Sequence, residues 1–96
     1  MSGYILKPEA VDAVAQIDWA EGYLEPGEYV DADLGWQVTP ASGPGDARIV
    51  EQFFDNVHSV ARLSGGVPGR IYVVSAGART NTGRALERAL TLRIAA

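Results

Sequence analysis

The sequence predicts an all-β fold, an antiparallel sandwich of about six to seven short strands. Three observations carry that expectation. Toward the C-terminus, Leu86, Leu90, Leu92 and Ile94 share one parity while Glu87, Thr91 and Arg93 share the other, and only Arg88 breaks the apolar face; this is the period of a half-buried strand. Segment 70–76 is rich in β-branched and aromatic residues, as strands are. Clusters of Gly, Pro, Asn and Asp recur at intervals of about 8 to 12 residues, the turn spacing of all-β domains.

The 96 residues allow one core, because a chain of this size cannot bury enough surface for two. Residues 1–12 read as an extended N-terminal arm, with Tyr4, Ile5 and Leu6 forming an apolar patch before Pro8. Pro8 followed by Glu9 and Asp12 also suits a helix start, but Gly22 and Pro26-Gly27 would cut a helix short. The domain proper spans 13–96. Its first strand is expected over 13–19 and a second over 35–39, followed by the loop 40–46, dense in Pro and Gly. Segments 47–54 and 57–63 read as strands around the turn pair Asp55-Asn56, with helix an open alternative for 47–54. Segment 70–76 reads as a strand buried on both sides. It is joined to the last strand through Thr80-Asn81-Thr82-Gly83, residues that tolerate the positive φ of a tight hairpin.

Between Leu63 and Tyr72 the chain reads Ser64-Gly65-Gly66-Val67-Pro68-Gly69. The glycines permit positive φ and Pro68-Gly69 turns the chain. Leu63, Pro68, Gly69 and Tyr72 in this order resemble the tyrosine corner of immunoglobulin and fibronectin type III sandwiches, in which the hydroxyl bonds back to nearby backbone. The expected fold class is therefore an immunoglobulin/fibronectin III-like antiparallel β-sandwich.

There is no cysteine, which removes disulfides, thiolate metal sites and thiol nucleophiles. A net charge of −4 argues against nucleic acid as a partner, since phosphate backbones call for a basic face. No stretch approaches the roughly 20 apolar residues of a membrane span, and no signal-peptide pattern opens the chain; the expectation is a mature, soluble protein with no membrane partner. Charge is unevenly placed. Through Asp46 there are nine acids against Lys7 alone, whereas the remainder holds Glu51, Asp55 and Glu87 against seven arginines. Either the two halves attract each other within one domain, or the acidic side of one copy meets the arginine side of another.

No constellation for catalysis is visible. His58 is the only histidine and has no ligand or nucleophile spacing around it. Asp31-Ala32-Asp33 lacks the glycine and the terminal glutamate of a calcium loop. The glycine-rich 64–70 segment lacks the Lys-Ser/Thr pair of a phosphate loop and precedes a strand rather than a helix. No cofactor or metal is expected, and no enzymatic activity. Trp19, Tyr23, Tyr29 and Trp36 lie in the acidic half; such residues serve either in cores or as interface anchors. With Tyr4, Ile5 and Leu6 they are the candidate protein interface.

Several segments together resemble a known family, the short immunoglobulin-like virion proteins of tailed bacteriophages and prophages of the phage fibre-tail adaptor type. They are Ile17-Asp18-Trp19, Tyr23-Leu24-Glu25-Pro26-Gly27-Glu28, Trp36-Gln37-Val38, Leu63-Ser64-Gly65-Gly66, Gly69-Arg70-Ile71-Tyr72-Val73-Val74 and Arg79-Thr80-Asn81-Thr82-Gly83-Arg84. The resemblance implies a non-enzymatic, multicopy structural adaptor of the virion, at the neck, tail or fibre attachment. It would be assembled in the host cytoplasm, with other copies of itself and other virion proteins as partners. A free-standing fibronectin-like module for a carbohydrate or cell-surface protein is the alternative, because a sandwich hosts many roles.

Overall fold

The computed structural model describes residues 3–41 and 43–96; Met1 and Ser2 of the expected arm and Ser42 of the expected loop lie outside the described residues. Among the described residues every regular element is a strand: β1 (Tyr4–Lys7), β2 (Ala13–Asp18), β3 (Val30–Thr39), β4 (Arg48–Phe54), β5 (His58–Ser64), β6 (Ile71–Thr80) and β7 (Ala85–Ile94). They form two sheets, one in the order β1-β7-β6-β3 and one in the order β2-β5-β4. A single core lies between them, fed from one sheet by Ala15, Ile17, Ala61 and Leu63 and from the other by Trp36, Tyr72, Val74, Leu90, Leu92 and Ile94. Complete burial of a leucine or isoleucine such as Leu63 or Ile94 stabilises the fold by about 2 kcal/mol relative to leaving it in water.

Period-two alternation sets which residues enter the core. In β7, Leu86, Leu90, Leu92 and Ile94 are buried while Glu87 and Arg93 are exposed. Strand β6 alternates too, which corrects the expectation that it is buried on both sides: Tyr72, Val74, Ala76 and Ala78 face the core, but Ile71 and Val73 are exposed. The reason is layering. Only two sheets stack, so each strand has one covered face, and a run of β-branched residues does not by itself call for a second cover.

The antiparallel expectation holds for every strand pair except one. Strand β1 runs parallel to β7, with Tyr4 beside Thr91 and Lys7 beside Ile94. Residues 4–7 of the expected arm are therefore seated in the chain's own sheet, while 8–12 cross to the other sheet with all five residues exposed. The ladder is extended by Thr91 N–H donating to the Gly3 carbonyl at 2.6 Å and Ala95 N–H donating to the Lys7 carbonyl at 2.9 Å.

Strand β3 begins five residues earlier than expected. Its first half carries Asp31, Asp33 and Gly35, poor strand formers, and its register against β6 shifts twice, between Val30 and Ala32 and between Asp33 and Gly35. At the second shift Gly35 takes φ +96°, and the Asp33 carboxylate accepts the Gly35 N–H at 2.9 Å. A side chain thus closes a bulge that sequence period alone does not reveal. Segment 48–54 is strand, not helix.

Candidate functional site

At one end of the molecule the 64–70 turn, the 40–47 loop and β1 converge on Tyr72. Its ring is wholly buried. Its hydroxyl accepts the Val67 N–H at 3.0 Å and donates to Asp46 Oδ1 at 2.7 Å. Arg70 donates to the same oxygen at 2.9 Å, and the other Asp46 oxygen accepts the Gly43 N–H at 3.0 Å. Leu63 is buried beside this turn, Pro68 is exposed at its apex and Gly69 takes φ +82°. Gly66 is required twice over: its φ is +111°, and a Cβ there would lie 2.4 Å from Ile94 Cδ1. Lys7 joins β1 to the same corner. Fully buried, it donates through Nζ to the carbonyls of Gly65 at 2.7 Å, Pro8 at 2.9 Å and Glu9 at 3.1 Å, and burial lowers its pKa because desolvation disfavours the ammonium.

At the opposite end, the 19–29 loop is clasped to the β6–β7 hairpin. Glu28, buried, receives Arg84 through both carboxylate oxygens and Thr82 at 2.6 Å, while Arg84 also donates to the Tyr23 carbonyl at 2.7 Å. The Arg84 guanidinium, helped by Thr82 and the Glu25 N–H, holds the Glu28 carboxyl well below the usual carboxylate range. Asn81 and Tyr29 exchange two hydrogen bonds across the same junction. Much of the charge asymmetry is resolved internally here: Glu28 with Arg84, Asp46 with Arg70, and Asp12 with Arg62 at 3.8 Å all join the acidic half to the arginine half.

Asp55, His58 and Asp33 have local structural tasks. The Asp55 carboxylate accepts the Val57 and His58 N–H groups at 2.8 and 2.7 Å and meets the His58 ring at 3.1 Å. The Val57 N–H leads in lowering its pKa, and the arrangement closes the β4–β5 turn. Asp33 serves the bulge. Among the described residues no three His, Cys, Asp or Glu side chains gather as metal ligands do. A groove of about 190 Å³ lies over Gly77 between Leu34, Gln37 and Glu87, below the roughly 300 Å³ at which small-molecule sites begin.

Of the seven residues predicted as interface, Trp19 and Trp36 are buried: Trp19 donates to Ser59 at 2.9 Å and packs edge-on against Tyr23, ring centroids 5.3 Å apart. Tyr23 and Ile5 are half-buried against the core. Tyr4, Leu6 and Tyr29 are exposed. The structure brings Tyr4 and Leu6 together with Ile71 and Val73 of the segment expected to be buried on both sides. Across the outer face of the four-stranded sheet, Leu6 lies beside Arg93 and Arg93 beside Ile71, while Tyr4, Thr91, Val73 and Thr39 form the adjoining row. The signal that finds Ile71 and Val73 is their parity, opposite to Tyr72, Val74 and Ala76. A second surface went unpredicted altogether: β4 exposes Val50, Phe53 and Phe54 along an edge paired only to β5.

No curated protein matches the chain. A family model does, that of the podophage GP4 fiber-tail adaptor protein gp77, over residues 7–93. The match takes in β2 to β6, β7 through Arg93, Lys7 at the end of β1, the Tyr72 corner and the Glu28–Arg84 clasp. With nearly its whole length accounted for in this way, the chain belongs to the podophage GP4 fiber-tail adaptor protein family.

Proposed function

We propose that this protein is a non-enzymatic structural component of a tailed-phage particle, a multicopy adaptor that joins tail and fibre parts and acts by binding alone. The family match over residues 7–93 carries the proposal. It is supported by a surface on which Tyr4, Leu6, Ile71, Val73, Phe53 and Phe54 are exposed along a sheet face and an edge, as apolar residues of protein interfaces are. Partners in this reading are other virion proteins and other copies of the chain, with no nucleic acid and no membrane; the protein is assembled in the host cytoplasm and resides in the virion.

Within this proposal the two layers are immunoglobulin-like. The order β2-β5-β4 against β7-β6-β3 corresponds to strands B-E-D against G-F-C of that sandwich, and the Tyr72 hydroxyl bonded to Val67 N–H supports a tyrosine corner between the fifth and sixth strands. Residues 1–12 act as an arm: β1 holds β7 over only four residues, so a neighbouring copy's β1 would find the same seat. A carbohydrate-binding module would use exposed aromatic platforms, and both tryptophans are buried.

The test is genetic. Particles made without this chain should assemble heads yet lack fibres, and supplying the chain in trans should restore them; fully fibred, infectious particles made in its absence would refute the proposal.

A further inference from the structure

We propose that β4 is the seat of a second copy of this chain, the two β4 strands pairing antiparallel about a two-fold axis at Gln52 to make one six-stranded sheet across the dimer. This gives the multicopy part of the proposed function a specific surface, and it is tested on the isolated chain, independently of the particle.

The four sheet edges are unequal. Strand β1 is four residues long and ends in buried Lys7. Strand β3 is blunted by two register shifts and carries Asp31 and Asp33. Strand β2 is bracketed by Asp12 and Asp18. Strand β4 carries one register shift, between Ile49 and Glu51, and differs in its exposure: six of its seven residues are exposed, among them Val50, Phe53 and Phe54 at 42%, 58% and 41%. Phe53 lies opposite the half-buried Val60 on one face, and Phe54 opposite the buried Ser59 on the other, so each face of the edge carries an exposed phenylalanine. Soluble proteins protect such an edge with charge, proline or a covering strand, and here Arg48 at its start and Glu51 are the two charges within it.

Charge selects the occupant and its direction. Arg48 opens the strand and Asp55 directly follows it. Parallel pairing of two copies would set Arg48 against Arg48 and Glu51 against Glu51, whereas antiparallel pairing carries each Arg48 to the Asp55 end of the other copy. A two-fold axis requires that one residue face itself. Centred on Glu51, like charges oppose; centred on Phe53, Glu51 faces Asp55. Centred on Gln52, two amides face each other and no like charges oppose.

Because the chain has no cysteine, Gln52→Cys introduces a single thiol at the axis. Sedimentation of the wild-type chain over rising concentration should show a monomer–dimer equilibrium, and mild oxidation should cross-link Gln52→Cys but not Val14→Cys on β2. Phe53→Lys and Arg48→Glu, both at exposed positions, should raise the dimer Kd about tenfold or more while leaving the circular dichroism spectrum unchanged. A chain that stays monomeric at high micromolar concentration overturns the proposal, including the case in which β4 receives a segment of another virion protein. So does a dimer indifferent to Phe53→Lys, or one that cross-links equally through Val14→Cys.

Discussion

The Tyr72 hydroxyl lies 2.7 Å from Asp46 Oδ1 and also accepts the Val67 N–H at 3.0 Å, so one buried oxygen ties β6, the turn before it and the 40–47 loop into a single corner. Replacing it with hydrogen leaves the Val67 N–H without its acceptor and Asp46 without one of its donors. Tyr72→Phe should therefore cost about 2 kcal/mol in urea unfolding, as loss of a buried hydrogen bond to a charged group does. A loss under about 0.5 kcal/mol would mean that the corner holds without its hydroxyl.

Two neighbouring glycines separate conformational strain from lack of space. At Gly69 the φ is +82° and a Cβ would meet nothing within 4 Å, so Gly69→Ala should cost about 1 kcal/mol, the left-handed penalty alone. At Gly66 the same change also drives a Cβ into Ile94 and should cost about 3 kcal/mol. Equal thermal shifts for the two variants would contradict this account.

Glu28 makes stability depend on acid. Its pKa is lowered in the folded chain, chiefly by Arg84, so the clasp contributes fully above the ordinary carboxylate value of 4.5 and is lost as pH falls below it toward the folded value. Thermal midpoints of the wild type should fall through this range. Glu28→Gln should start lower at neutral pH and show a shallower acid limb, with a residual slope from Asp55, whose pKa is lowered too. An acid limb as steep as that of the wild type would place the titrating group elsewhere.

Lys7 holds β1 from its buried end. Lys7→Ala removes the donor to the Gly65 carbonyl and leaves space where the side chain lay. Exchange of the Thr91 and Ala95 amides, which donate to Gly3 and Lys7, should accelerate about tenfold or more, while amides between β6 and β3 stay protected. Unchanged exchange at Thr91 and Ala95 would show that the ladder alone secures β1.

The outer sheet face separates folding from assembly. Ile71 and Val73 are about half exposed, so the double change Ile71→Lys and Val73→Lys should alter stability by less than about 1 kcal/mol yet reduce incorporation into particles. Incorporation at the wild-type level, read by immunoblot of purified particles, would exclude this face as a contact.

Strand β7 and the two hairpin turns are legible because parity and turn residues agree: Leu86 to Ile94 alternate, and Asp55-Asn56 and Asn81-Thr82-Gly83 turn. What escapes is long-range or depends on a neighbour. The first half of β3 is hidden by Asp31, Asp33 and Gly35, which become strand only through the β6 ladder and a side-chain bond at the bulge. The partner of β1 is invisible because four residues do not encode which edge they will join. Trp19 and Trp36 are identified as anchors by type, yet their place in the core follows from the layering of two sheets. Glu28 and Arg84 stand 56 residues apart, beyond the reach of any local pattern, and the exposure of Phe53 and Phe54 follows from β4 having a ladder partner on only one side.

The account rests on this chain being a tail–fibre adaptor that works through its surfaces. Cryo-electron microscopy of intact particles carrying a labelled copy tests that most directly. Density for the two-sheet domain, repeated around the tail axis and touching both tail and fibre chains, is the predicted result; purified particles that contain no such density and no labelled chain would contradict it.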